Sequence, residues 1–187
     1  MPLRIAIADD EPLIRLDLKE LLGELGYSVV AEAGDGREAW TRIEETRPDV
    51  VILDIKMPSL SGIDLAQKLK ERYPVILLTA YSEINLVKQA QRAGVMAYLT
   101  KPFKKADLTP VIELAMGQFL EKKKSAETVE RLKDQLETRK LVEKAKGLLM
   151  ELEKLSESEA YQRIQKISMK KNQSMKEVAK AVITMYG

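Results

Sequence analysis

Asp9, Asp10, Asp54, Thr79 and Lys101 are the residues of this chain whose types could do chemistry together. Each stands just after a short apolar run. Asp9 and Asp10 follow residues 4–8, Asp54 follows 50–53, Thr79 follows 75–78 and Lys101 follows 97–99. Carboxylates held close together repel and raise one another's pKa, and a divalent cation relieves that repulsion. The chain has no His and no Cys, so the cation is expected to be a hard one held by oxygen. Mg²⁺ accepts a few carboxylates, keeps several waters and leaves room for a phosphoryl donor. Asp54 is then the nucleophile that becomes an acyl phosphate. The metal and Lys101 neutralise charge on the transferring oxygens, and Thr79 donates a hydrogen bond to one of them. An acidic pair after a strand is commonly just a helix cap, and a Lys-Pro pair means little by itself. The conjunction of five such residues at four strand ends carries the argument.

The elements that must position them alternate along the chain. Residues 4–8, 28–32, 50–53, 75–78 and 97–99 read as short buried strands. Between them, 12–25, 37–46, 62–72 and 83–93 carry apolar residues at helical spacing, and a last helix begins near Lys105. Strictly alternating strands and helices with continuous apolar strands predict a doubly wound parallel α/β sheet, covered on both faces. In such sheets function gathers in the crevice at the carboxyl ends of the strands.

Four stretches carry a likeness to a known family. They are Asp9-Asp10, the run Leu53-Asp54-Ile55-Lys56-Met57-Pro58 with Gly62, Thr79-Ala80, and Lys101-Pro102-Phe103. Over residues 1 to about 120 the sequence closely resembles the receiver domains of two-component response regulators. The resemblance implies a flavodoxin-like sheet of order 2-1-3-4-5 and phosphoryl transfer from the phosphohistidine of a sensor histidine kinase. It implies that Asp10, Asp54 and the Lys56 carbonyl bind Mg²⁺ directly, with Asp9 acting through water. The Lys101–Pro102 bond is expected to be cis. Tyr98 stands at the family's aromatic switch position. Phosphate on Asp54 would draw Thr79 in and vacate space for Tyr98, reshaping a face that then dimerises. Lys56 and Tyr81 flank the path of attacking water, with either sense possible for the dephosphorylation rate.

From about residue 108 the pattern changes. Leu108, Val111, Ile112, Ala115, Phe119 and Leu120 share one helical face, residues 121–128 have almost no apolar seam, and Val129, Leu132 and Leu136 resume it. One long helix or two abutting ones fit this pattern, with 121–138 a helical linker and possible coiled coil. Residues 139–187 read as three helices. The first, 139–153, places Val142, Ala145, Leu148, Leu149 and Leu152 on one face, with Met150 expected in the core. The second opens on the capping box Ser156-Glu157-Ser158-Glu159 and is expected to bury Tyr161, Ile164 and Ile167. The third opens on Ser174-Met175-Lys176-Glu177 and buries Val178, Ala179, Val182 and Ile183. Gly147 lies inside a helix at a cost of about 1 kcal/mol. Close approach of another helix is the favoured reason, and approach of RNA the other.

Three outputs compete: RNA binding, DNA binding by a helix-turn-helix, and a purely dimerising bundle. The run 139–150, above all Ala145-Lys146-Gly147-Leu148-Leu149-Met150, is similar to the opening of the ANTAR family of antitermination regulators. Glu159-Ala160-Tyr161, the stretch 167–172 and Glu177-Val178-Ala179 extend the resemblance over 139–187. It implies binding of paired RNA stem-loops that keeps a terminator from forming. Lys144, Lys146, Lys166, Lys170 and Lys171 are the candidates for phosphate contact, and Asn172 and Gln173 for loop bases. A helix-turn-helix reader should expose several base-reading side chains, and the last helix offers only Lys176, Lys180 and Thr184.

Charge agrees without deciding. Residues 1–103 hold 13 Lys and Arg against 16 Asp and Glu, and residues 104–187 hold 18 against 13. No apolar run approaches a membrane span and no signal peptide is read, so a cytoplasmic protein is expected, without a membrane partner. The expected class is a phosphorylation-dependent regulator that is no enzyme beyond its own phosphoryl chemistry. It would form a homodimer when phosphorylated.

Overall fold

The computed structural model describes residues 1–80 and 94–186. The helix read at 83–93, and Tyr81, lie outside the described residues. The chain divides into two compact units, Met1–Lys123 and Lys124–Gly187.

The first unit holds β1 (Arg4–Ala8), α1 (Pro12–Glu24), β2 (Ser28–Ala33), α2 (Gly36–Thr46), β3 (Val50–Asp54), α3 (Gly62–Leu69), β4 (Val75–Ala80) and β5 (Ala97–Lys101). All five strands are parallel, in the order β2-β1-β3-β4-β5. Strand alternation divides the core in two. Ala6, Ala8, Val51, Leu53, Val75 and Leu77 pack with Ile43 of α2 and Leu65 and Leu69 of α3. Ile5, Ile7, Val50, Ile52, Ile76 and Leu78 pack with Leu18 and Leu22 of α1 and with Leu108, Ile112 and Ala115. Both faces are thus covered, which is what the unbroken apolar strands require. Of the six leucines read on the first helix, Leu13 and Leu16 stand exposed.

A single helix, α4 (Lys105–Glu153), replaces the choice between one helix and two. Its apolar linker positions Val129, Leu132 and Leu136 are exposed. The end of α4, with α5 (Glu157–Lys171) and α6 (Met175–Tyr186), encloses a separate small core of Val142, Ala145, Leu149, Ala160, Ile164, Val178, Ala179 and Val182. Both caps form as read. Ser156 accepts from the Glu159 amide while Glu159 accepts from the Ser156 amide, and Ser174 and Glu177 repeat the exchange. Lys176 ties α6 to α4 through Asp134 at 2.6 Å and Glu137 at 2.8 Å. These bonds push the Lys176 ammonium up to about 12.

Four expectations for this unit are corrected. Met150, Leu152 and Tyr161 are exposed rather than buried, because the two neighbouring helices cover a narrower stripe than the apolar residues span; Ala160 fills the place read for Tyr161. Gly147 is exposed, and a Cβ built on it meets nothing within 4 Å, so none of the described helices packs against it. Gly147→Ala is therefore expected to stabilise the unit by about 1 kcal/mol, read as a higher denaturant midpoint, since only the helix-propensity cost of glycine is removed.

Candidate functional site

The parallel register brings the polar residues together. Ala8 pairs with Leu53, Asp54 with Leu78, and Ala80 with Lys101, so the ends of β1, β3, β4 and β5 form one edge. Asp9 follows Ala8 directly, and Thr79 follows the partner of Asp54.

Lys101 is the hub of this edge. Its Nζ lies 2.6 Å from Asp54 Oδ1, 2.7 Å from Asp9 Oδ2 and 3.6 Å from Glu11 Oε1. Burial opposes its charge, but the bonds to Asp54 and Asp9 outweigh that and hold it above the ordinary 10.5. Burial pushes the Asp54 carboxyl above its ordinary 3.8, against the pull of Lys101. The other Asp54 oxygen accepts from the Lys56 amide at 2.7 Å, which fixes the plane of the carboxylate. The Lys101–Pro102 peptide is cis.

The acidic residues sit at different depths. Asp9 is buried to 1% exposure, while Asp10 and Glu11 are exposed. Asp9 Oδ1 accepts from the Glu11 amide at 2.9 Å, and the Asp9 carbonyl accepts from Arg15 at 2.7 Å. Asp9 Oδ2 is buried, and among the described residues the Lys101 ammonium is the group that reaches it. One carboxylate oxygen each from Asp9, Asp10 and Glu11 lie within 4.8 Å of one another. A buried oxygen with spare acceptor capacity beside two exposed carboxylates suits a hard divalent cation such as Mg²⁺. Glu11 was not among the residues expected to matter here. The signal lay in the unbroken triplet Asp9-Asp10-Glu11, and only the turn after β1 aims the third carboxylate at Lys101. A cavity of about 580 Å³ opens beside Asp10, walled by Lys56, Met57, Pro58 and Ser61.

Thr79 and Tyr98 are the pair expected to act as a switch. Thr79 is buried at 7% exposure, and its hydroxyl donates to the Ala80 carbonyl at 3.1 Å. Tyr98 is half-buried against the α2–α3 side of the core, and burial raises its phenol above the ordinary value of 10. Gly62 completes the site. Its amide donates to the Ile55 carbonyl at 3.0 Å, and a Cβ on it would lie 1.9 Å from the Asp54 carbonyl oxygen. Only glycine lets α3 begin this close to the strand that carries Asp54.

The output residues are distributed unevenly. Lys144, Lys166, Lys170, Lys171, Asn172 and Gln173 are exposed. Asn172 ends α5 in the left-handed conformation at φ 51°, which turns the chain toward α6. Lys146 is different. It is buried at 7% exposure and pairs with Glu143 at 2.9 Å and Glu157 at 2.7 Å, so it joins α4 to α5 rather than standing open to an RNA phosphate. Both bonds raise its ammonium above the ordinary value.

Comparison with known proteins agrees with this geometry. A family model described as the response regulator receiver domain matches residues 5–113, and one described as the ANTAR domain matches 130–183. The chain is a response regulator with an ANTAR output domain. The transcriptional regulatory protein PdtaR of Mycobacterium tuberculosis is 48% identical over 189 residues, covering 100% of this chain and 92% of its own. The positive alginate biosynthesis regulatory protein of Pseudomonas aeruginosa is 41% identical over 118 residues, 60% of this chain and 47% of that protein. Among solved structures, a receiver domain protein from Clostridium thermocellum aligns with a TM-score of 0.57 at 33% identity, covering 62% of this chain and 95% of that one. Its receiver domain implies a histidine kinase upstream, and its ANTAR domain implies RNA binding. No helix among the described residues is long and apolar enough to cross a membrane.

Proposed function

We propose that this response regulator takes a phosphoryl group on Asp54 and, once phosphorylated, acts as a cytoplasmic transcription antiterminator by binding paired RNA stem-loops. The observation that carries the input half is the Lys101 ammonium held on Asp54 and on the buried Oδ2 of Asp9 at the carboxyl edge of the sheet. The Asp54 oxygen attacks the phosphorus of a phosphohistidine, the P–N bond breaks, and the imidazole leaves with a proton from solvent. Bound at Asp10 and Asp54, the Lys56 carbonyl and, through water, Asp9, Mg²⁺ would supply charge neutralisation for the transferring oxygens. Lys101 then moves its ion pair from the carboxylate to a phosphoryl oxygen, and Thr79 exchanges the Ala80 carbonyl for another. Tyr98 follows into the space Thr79 leaves. The regulator is no enzyme toward other substrates; it catalyses only its own phosphorylation and dephosphorylation.

The output half rests on the exposed cations Lys144, Lys166, Lys170 and Lys171 with Asn172 in the ANTAR-matching region. The receiver, 1–120, would dimerise on phosphorylation and bring two output domains, 139–187, together through the linker 121–138. Each domain then meets its hairpin at high effective concentration. Acetyl phosphate with Mg²⁺ should convert the protein to a dimer by light scattering and shift a tandem-hairpin RNA in a gel. Tight binding to duplex DNA with none to tandem hairpins would overturn this output.

Lys101→Met separates the roles of the lysine. Removing a cation bonded to two carboxylates should raise Mg²⁺ affinity about tenfold in calorimetric titration. The same change should slow phosphorylation by acetyl phosphate about a hundredfold, because no ammonium remains for the transferring oxygens. A variant that lost both together would argue against this division of labour.

A further inference from the structure

A second cavity, of about 240 Å³, lies within the output unit between the end of α4, α5 and α6. Its floor is apolar, with Leu149, Ile167 and Val182. One carboxylate enters it. Glu153 is held from both sides: Oε2 pairs with Arg163, and Oε1 accepts from the Tyr186 hydroxyl at 2.9 Å. A carboxylate has about four acceptor positions, so roughly two remain for an occupant. Lys171 and Gln173 stand at the rim, and Tyr186 offers part of its ring to the opening.

The lining excludes most occupants. A free anion would meet Glu153. A cationic side chain would meet Arg163 and Lys171. A purely apolar group would leave the spare acceptors of Glu153 without donors. A flat ring that carries amino donors on its edge, with a phosphate behind it, satisfies every wall. The surroundings favour that charge as well, since Lys166, Lys170 and Lys171 stand exposed along the last turns of α5. The volume is also below the roughly 300 Å³ at which drug-sized pockets begin, which suits a single base.

We propose that this cavity receives one unstacked base with an exocyclic amino group from the loop of an RNA hairpin, read by Glu153 and stacked on Tyr186. Lys171 takes the adjoining phosphate. Arg163 is a positioning residue: it fixes the carboxylate and does not touch the base. The inference rests on the RNA-binding reading of the output unit and names a subsite within it. Single-stranded loops are where RNA offers splayed bases to aromatic rings and to groups that read their edges.

The test is selection from an RNA library of tandem hairpins with randomised loops, using the full chain with acetyl phosphate and Mg²⁺. The recovered pool should show one loop position depleted of uracil, the base without an amino group, by about tenfold. Glu153→Gln keeps an acceptor and adds a donor, so its pool should recover the same hairpins with that depletion reduced to about twofold. Tyr186→Leu should weaken binding at the same position without restoring uracil. Ultraviolet cross-linking of the selected RNA should mark the peptide containing Tyr186. Hairpins recovered with no uracil-depleted position, or with the same depletion in Glu153→Gln, would overturn the subsite and leave RNA binding intact. Recovery of no hairpin at all would overturn both.

Discussion

Asp54→Asn is expected to abolish labelling by acetyl phosphate, with a loss on the order of a thousandfold or more. The amide keeps the size of the carboxyl and can still accept the Lys56 amide bond, so the strand end stays in place. It offers no anionic oxygen to form a P–O bond. The neighbouring carboxylates are not expected to replace it, because Asp9 is locked by Glu11 and Lys101, while Asp10 and Glu11 stand exposed, with Lys101 3.6 Å from Glu11 and so beyond hydrogen-bond reach. Mass spectrometry of the intact protein after acetyl phosphate treatment reads the outcome directly. Phosphorylation-dependent dimerisation and RNA binding should vanish with it. A variant that bound tandem hairpins as well as the phosphorylated wild type would break the proposed coupling.

The same variant should not be less stable at neutral pH in the absence of metal. Burial raises the Asp54 carboxyl in the folded state above 3.8. Between the unfolded value and that raised folded value the folded state binds more protons, so wild-type stability falls as pH rises through the window. The amide of the variant does not titrate and escapes that fall. Thermal melts in EDTA should therefore diverge in favour of the variant as pH rises from about 4. A wild type that gained on the variant over the same range would contradict the raised carboxyl.

Gly62→Ala is expected to cost about 3 kcal/mol and to disable phosphorylation in the fraction that folds. The added Cβ would meet the Asp54 carbonyl oxygen at 1.9 Å, its carbon at 2.9 Å and Ile55 Cα at 3.3 Å. All three are backbone atoms at the end of a central strand, so no side chain can swing aside. Either α3 retreats and loses the Gly62 amide bond to Ile55, or the strand end moves and takes Asp54 off Lys101. Gly117→Ala is the control. Its Cβ meets nothing within 4 Å, so it should leave phosphorylation unchanged and stability equal or higher. Equal melting midpoints for the two variants would refute the close approach.

The local patterns that could be read directly were those whose physics is local. Apolar runs of strand length, broken by helical spacing, specify a doubly wound parallel sheet, and Asp9, Asp54, Thr79 and Lys101 fall at strand ends because the chain itself puts them there. Capping boxes at Ser156 and Ser174 need only residues three apart. The receiver and output families were legible for the same reason, since their motifs are short and contiguous.

Tertiary structure decided what depends on a neighbour from elsewhere in the chain. Periodicity marked Met150, Leu152 and Tyr161 as apolar, but burial depends on which stripe the partner helices cover, and these three lie outside it. Lys146 was one lysine among several until Glu157, eleven residues on, closed over it. Glu11 was a flanking acid until the turn after β1 brought it toward Lys101. Gly62 was a motif letter until α3 was placed on the backbone of Asp54. Residue type and spacing determine the elements and the roster of the proposed phosphorylation site, because backbone geometry and side-chain chemistry are properties of short segments. Which charges are paired, which apolar groups are covered and how near α3 approaches Asp54 are set by long-range packing, which no short segment encodes.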